Sequence, residues 1–451
     1  MLRVLATALA VLALTTSFHA HASRALTPGI TLIGKGVVSG SALDTSGLKG
    51  NICQAGAPAN CVPKAIFGGF GSDITYTGHD DVFIAAPDRG PFDGLTDEPY
   101  IDRFYFLHIT TDVDAPFPNI STTLLDTRFF RDKGGRNFVG AAGDFNARLD
   151  PEGIRVGPNG TFYISDEYGP YVFEFNRQGQ LIRRLEVPSK FFISNPSSDP
   201  NTELTGNTAG RQANRGMEGL AISPDGKTLF GIMQNALIQD HGLNGTDRVG
   251  LNNRILKIDL ATGETHEYVY VLDAINRGQG VCEILAINDH EFLVVERDNR
   301  SNLQSPPQAP TRKTIYKIDL TGATDVSDIE SLPAGALPLG ITPVSKQLFI
   351  NLLDADLNLA ATIPEKIEGL TWGPDLADGR HVLYVISDND LNPALATQIY
   401  AFAIDPSLLD FQQQFLPGPL FPPGQVNQRS SAKIRGENAV EFTPNTNPAH
   451  H

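Results

Sequence analysis

Five times along this chain a single carboxylate stands just ahead of a short β-prone run: Asp73-Ile74, Glu152-Gly153-Ile154, Glu218-Gly219-Leu220, Glu283-Ile284-Leu285 and Glu368-Gly369-Leu370. The intervals between these acids are 79, 66, 65 and 85 residues. Self-similarity at such a spacing means one supersecondary unit copied around a shared core. The residues after each acid are alike too. Glu152 is followed by IRV, the turn Gly157-Pro158-Asn159-Gly160 and TFYIS; Glu218 by LAI, Ser223-Pro224-Asp225-Gly226 and KTLFGIM. Glu283 leads into ILAI, Asn288-Asp289-His290 and EFLVVE; Glu368 into LTW, a longer turn from Gly373 to Arg380 and HVLYVIS. Pro, Asn, Asp and Gly between branched and aromatic runs spell a β-hairpin.

Further β-prone runs complete each unit: YVFEFNRQGQLIRRLEV, RILKIDLATGETHEYVYVLD, TIYKIDLTGATDV and QIYAFAID. Four strands in about 65 residues make one blade of a propeller. The expected fold is therefore all-β, a β-propeller with five to six four-stranded blades. A β-sandwich is the competing architecture, but it has no need of an acid at one place in every unit. Five units carry the mark, and the length from Leu26 to Pro406 leaves arithmetic room for a sixth. Residues 28–40 can supply a strand that closes the ring against the last unit. The polar stretches 191–214 and 240–253 read as surface loops. The propeller spans 63–406, preceded by an N-terminal segment at 23–62 and followed by a Pro-rich tail at 407–451.

The chain holds 35 Lys+Arg against 51 Asp+Glu, a formal net charge of −16, which argues against nucleic acid and polybasic membrane contacts. Residues 1–22 read as a signal peptide: a positive start at Arg3, an apolar run from Val4 to Leu14, and Ala20-His21-Ala22 as a cleavage site. No later stretch is long and apolar enough to span a bilayer. The expectation is an exported, soluble protein with no membrane insertion after signal removal, and a monomer. In an oxidising compartment Cys53 and Cys61 can close a small loop, whereas Cys282, in an apolar run, reads as a buried small hydrophobe.

The innermost strand of a propeller blade lines the central channel. The acid starts that strand, and the hairpin brings the chain back to the same face about 14 residues later. Standing at those return points are Asp88-Arg89, Asp166-Glu167, Gln234-Asn235, Glu296-Arg297-Asp298 and Asp388-Asn389-Asp390. The ring thus gathers oxygen donors at one channel mouth. Asp73, Glu152, Glu218, Glu283 and Glu368, with Asp388, are the expected metal ligands. Like charges this dense need compensation, and a set rich in oxygen and poor in Cys and His favours Ca²⁺. The same acids can instead bond backbone N–H groups of a neighbouring blade and lock the ring. Asp166 or Glu167 is placed to accept a proton. Arg89 and Arg297 are placed either to receive an anionic group or to pair with the ring acids. The chain has no G-x-S-x-G elbow, P-loop or dinucleotide fingerprint, and its histidines read as turn residues.

The words DPEGI, SDE, GMEGLAISPDGKTLF, RILKIDLATGE, LVVERD, IYKIDLTGATDV, IEGLTWGPDL and LYVISDND, in that order, resemble the family named for the esterase-like activity of phytase. The likeness covers roughly residues 63–405. It implies an exported bacterial β-propeller with hydrolase activity. It carries no residue role with it. Calcium propellers of the paraoxonase and gluconolactonase group are similar in architecture, and they suggest a metal that polarises an ester. The expected function is hydrolysis of a small anionic ester, first of all a phosphate ester. The alternative is a rigid binding platform whose partner or glycan sits on the long loops.

Overall fold

A computed structural model describes residues 27–141, 143–275 and 278–416. The expected signal peptide at 1–22 and most of the expected Pro-rich tail lie outside the described residues. Five four-stranded antiparallel sheets, here blades I to V, form the body. Blade I runs through Asp73–Tyr76, Val82–Ala86, Arg103–Thr111 and Ile120–Phe129, and blade II through Pro151–Val156, Phe162–Asp166, Val172–Phe175 and Leu181–Leu185. Blade III comprises Met217–Ile222, Thr228–Met233, Asn252–Asp259 and Thr265–Val271; blade IV comprises Gly280–Ala286, Glu291–Arg297, Lys313–Asp319 and Ser345–Asn351. Blade V takes three strands from the C-terminal side, Lys366–Trp372, His381–Asp388 and Thr397–Ile404, and its outermost strand, Ile30–Val38, from the N-terminal side. Ile30 faces Ile404 and Val38 faces Thr397 in this pairing. The first described strand thus closes the ring and ties the two ends of the propeller together.

The fold is a five-bladed propeller. The length that left room for a sixth blade goes instead into long connections between strands and blades, such as 186–216 and 320–344. The second of these covers the outer edge of blade III through Val326 N to Glu267 O, 2.8 Å, and Val344 N to Val269 O, 2.9 Å. Aromatic side chains fill the wedges between blades. Phe104 and Phe130 of blade I's side meet Phe162 and Phe175 of blade II, and Phe230 of blade III lies 4.5 Å from Phe292 of blade IV.

In blades II and III the inner strands approach their neighbours so closely that a side chain has no room at one level. A Cβ on Gly153 would stand 2.6 Å from Leu220 N, and one on Gly219 would stand 2.7 Å from Ile284 N. The glycine after Glu152 and after Glu218 is therefore a packing requirement of a narrow five-membered ring. One end of the channel is floored by the segment from Asp410 to Leu416. Gln412 N donates to Ile287 O at 2.9 Å, Phe415 N to Pro224 O at 2.7 Å and Gln414 Nε2 to Val156 O at 2.7 Å, while Phe411 packs on Trp372 and His381. Among the described residues the opposite end is open.

Candidate functional site at the channel mouth

The five repeated acids do not form one ring. In blade III, Met217 pairs with Met233 and Gly219 with Ile232, so Glu218 is the extra residue of a bulge. In blade V, Ile367 pairs with Ser387 and Gly369 with Ile386, and the extra residue is Glu368. In blade IV, Val281 pairs with Glu296 and Glu283 with Val295, which makes Cys282 the extra residue. Glu283 consequently occupies the level of Gly219, one step deeper. Asp73 does likewise, directly before Ile74 as Glu283 is before Ile284, and each of these carboxylates accepts the N–H of its following isoleucine, at 2.6 and 2.7 Å. A shift of one residue moves a strand side chain to a different level and direction.

The deeper level is a plug. Arg155, from the inner strand of blade II and 2 % exposed, reaches Asp73 at 2.6 Å and Glu283 at 3.1 Å. It also donates to the carbonyls of Ile74 and Ile284, both at 3.1 Å. Asp73 further accepts the N–H of Ile154, and Glu283 that of Leu220 at 3.3 Å. Burial raises both carboxyls above their ordinary range, and Arg155 works against it. These two acids engage neighbouring blades and Arg155, the ring-locking arrangement, away from the open mouth.

Above the plug lies a cavity of about 590 Å³ lined by Glu152, Glu218 and Glu368. The return-strand ends contribute Asp88, Arg89, Glu167, Gln234, Arg297 and Asp390 to its wall, and the disulfide-closed Cys53–Cys61 hairpin contributes Asn60, Cys61 and Val62 to the rim. Most charges are already matched. Arg89 pairs with Asp150 at 2.6 Å, Asp93 at 3.1 Å and Glu167 at 3.4 Å, and its guanidinium bonds Asn214. Arg297 pairs with Glu368 at 2.5 Å. Asp88, Asp388 and Asp390 surround the Lys366 ammonium, with Asp388 at 2.8 Å and Asp88 at 3.6 Å. Asp388, expected as a metal ligand, thus has an internal cation as its partner.

Glu152 and Glu218 are different: among the described residues neither has an ion-pair partner. Glu218 takes one hydrogen bond from Gln234 and keeps Oε2 buried without a partner. Burial holds both carboxyls well above the usual range. Glu218, Asp150, Glu167 and Glu368 repel charge on Glu152, and Glu167 and Glu368 repel it on Glu218. The cavity lining as a whole sets eight carboxylates against four cationic side chains, Arg89, Arg215, Arg297 and Lys366. Two donor groups have ligand atoms within 4.8 Å of one another and include ring residues: Asp150, Glu152 and Glu167, and Glu218, Cys282 and Glu368.

The return ends separate as well. Glu167 faces the cavity, whereas Asp166 accepts the backbone N–H of Asp150 at 3.0 Å and of Tyr168 at 3.2 Å and lines a neighbouring cleft. Burial pushes the Asp166 carboxyl up to about 7. Sequence reasoning missed Asp150, Arg215 and Lys366, although each stands two or three residues ahead of a ring glutamate, where the chain enters the mouth. None of the cavity-lining residues is a histidine.

Among the described residues no helix is long and apolar enough to cross a membrane. The chain is 27 % identical over 394 residues to an uncharacterized secreted protein of Arthroderma benhamiae, covering 67 % of this chain and 74 % of that one. Looser likenesses include hydrazine synthase of Kuenenia stuttgartiensis, at 12 % identity, 71 % and 78 % coverage and a TM-score of 0.30. A member of the duf4221 family from Bacteroides vulgatus shares 9 % identity, with 83 % and 98 % coverage and a TM-score of 0.33. The profile of the Phytase-like family, described as esterase-like activity of phytase, matches residues 65–391, which takes in the inner strand of every blade, and the chain belongs to that family.

Proposed function

We propose that the channel mouth hydrolyses phosphate esters of a small anionic substrate outside the cytoplasm, with a divalent cation held by Glu152 and Glu218. The observation that carries this reading is the pair of buried ring glutamates that form no ion pair among the described residues, set in a cavity that also presents four cationic side chains. An unshared carboxylate oxygen and an excess of oxygen donors fit a divalent ion, which is Ca²⁺ where oxygens alone coordinate it. Such an ion, when bound, polarises the ester and lowers the pKa of a water. In this reading Glu167, which lines the cavity, would take a proton from that water. Arg215 and Arg297, which line the same cavity, orient the anionic group, and Arg89 and Lys366 fix the carboxylates that shape the wall. Export rests on the signal peptide and on the secreted relative.

Hydrolysis of a phosphomonoester and a carboxylic ester reporter, with and without EDTA, tests this. Turnover of the phosphate ester that EDTA abolishes and a divalent ion restores is the expected result. Turnover of neither reporter overturns it, and turnover indifferent to EDTA removes the cation from it.

A further inference from the structure

The register of blade IV places a thiol where blades III and V place a carboxylate. Cys282 is the bulge residue of its inner strand, as Glu218 and Glu368 are of theirs. Its Sγ and one oxygen from each of those glutamates lie within 4.8 Å of one another. Glu218 is 3 % exposed, and its Oε2 is buried with no hydrogen-bond partner. Arg297 holds Glu368 through Oε1, and its charge also acts on Glu218 and Cys282, so an ion at this place shares the three donors with a guanidinium. Cys282 itself is 2 % exposed and backs onto the apolar wedge between blades IV and V. The other two cysteines are joined to each other at the rim, so Cys282 is the chain's single thiol.

We propose that Glu218, Cys282 and Glu368 form a mixed oxygen–sulfur site for a thiophilic divalent ion of the Zn²⁺ or Co²⁺ type. The inference rests on the reading that the mouth holds a cation, and it names the class of ion. A thiolate selects transition-series ions, whereas Ca²⁺ takes oxygen ligands alone. Binding replaces the S–H bond with an S–metal bond and releases the proton to solvent, so affinity rises with pH as long as the unbound Cys282 is a thiol.

The metal-stripped protein is titrated with Co²⁺, Zn²⁺ and Ca²⁺ separately, with thermal unfolding and the near-ultraviolet spectrum recorded for each. The site predicts a thiolate-to-Co²⁺ charge-transfer band that saturates with the rise in Tm. Since there is one thiol, the wild-type spectrum alone assigns the band to Cys282. Cys282→Ser should abolish the band and weaken Co²⁺ and Zn²⁺ by at least about tenfold, the Ca²⁺ response being unchanged. A saturable rise in Tm with any of the three ions but no thiolate band overturns this proposal and leaves the cation of the proposed function standing. No response to any ion overturns both. Should the serine variant fail to fold, the wild-type band decides.

Discussion

Arg155→Met is expected to destabilise the propeller by about 3–5 kcal/mol at neutral pH, because it leaves two buried carboxylates with no cation. Asp73 and Glu283 come from blades I and IV, and Arg155 from blade II, so the guanidinium is the tie that joins inner strands across the channel. Methionine matches the stem in volume, which keeps cavity effects small. The pH dependence identifies the cause. Both carboxyls are raised in the folded state even with Arg155 present, burial being the main cause. Loss of the arginine raises them further. An acid whose folded pKa exceeds its unfolded value costs no stability below the unfolded value, and costs progressively more as pH rises towards the folded one. The deficit should therefore open only above the wild-type folded values, which already lie above the ordinary carboxylate range, and shrink as pH falls back towards them. Adding Asp73→Asn and Glu283→Gln to Arg155→Met should recover much of the loss. Chemical denaturation across pH checks both statements, and a pH-independent deficit would mean that packing, not charge, is lost.

Glu218→Gln is expected to reduce phosphate-ester turnover by about 10²–10³-fold while leaving stability equal or higher. The wild-type carboxylate is buried with one oxygen unshared and is repelled by Glu167 and Glu368. A neutral amide of the same shape relieves that repulsion and can still bond Gln234. Glu283→Gln is the contrasting variant, since its side chain belongs to the plug. It should move Tm and leave turnover of the folded protein close to wild type. Steady-state kinetics set beside melting curves separate the two levels, and a loss of activity in both variants in proportion to stability would erase the distinction between them.

The repeat was legible because turn chemistry and β-prone runs are local properties. The Gly226 turn and its equivalents announce the hairpins, and five marked units became five blades. Levels inside the channel were not legible in the same way. A reading that aligns acid with acid places Glu283 beside Glu218, whereas the register aligns Cys282 with Glu218 and Glu283 with Gly219. A signal was present: Gly216-Met217-Glu218 and Gly280-Val281-Cys282 align on their glycines. The bulge that fixes the level depends on how the second strand pairs, which the inner strand's own sequence does not state. Ion pairing was invisible for a related reason. Lys366 faces Asp388 across one hairpin of blade V, and Asp88 of blade I meets them only at the mouth, so the first pairing is set by strand register and the second by ring closure.

The central claim is that Glu152 and Glu218 hold a cation at the open mouth. Thermal unfolding of the metal-stripped protein during titration with a divalent ion, in the wild type and in the Glu152→Gln/Glu218→Gln double variant, tests it most directly. Ligand linkage predicts a saturable stabilisation of the wild type, about 2.7 kcal/mol at a hundred times the dissociation constant, and none in the double variant. Superimposable curves with and without ion in the wild type, or an equal rise in both proteins, would contradict it.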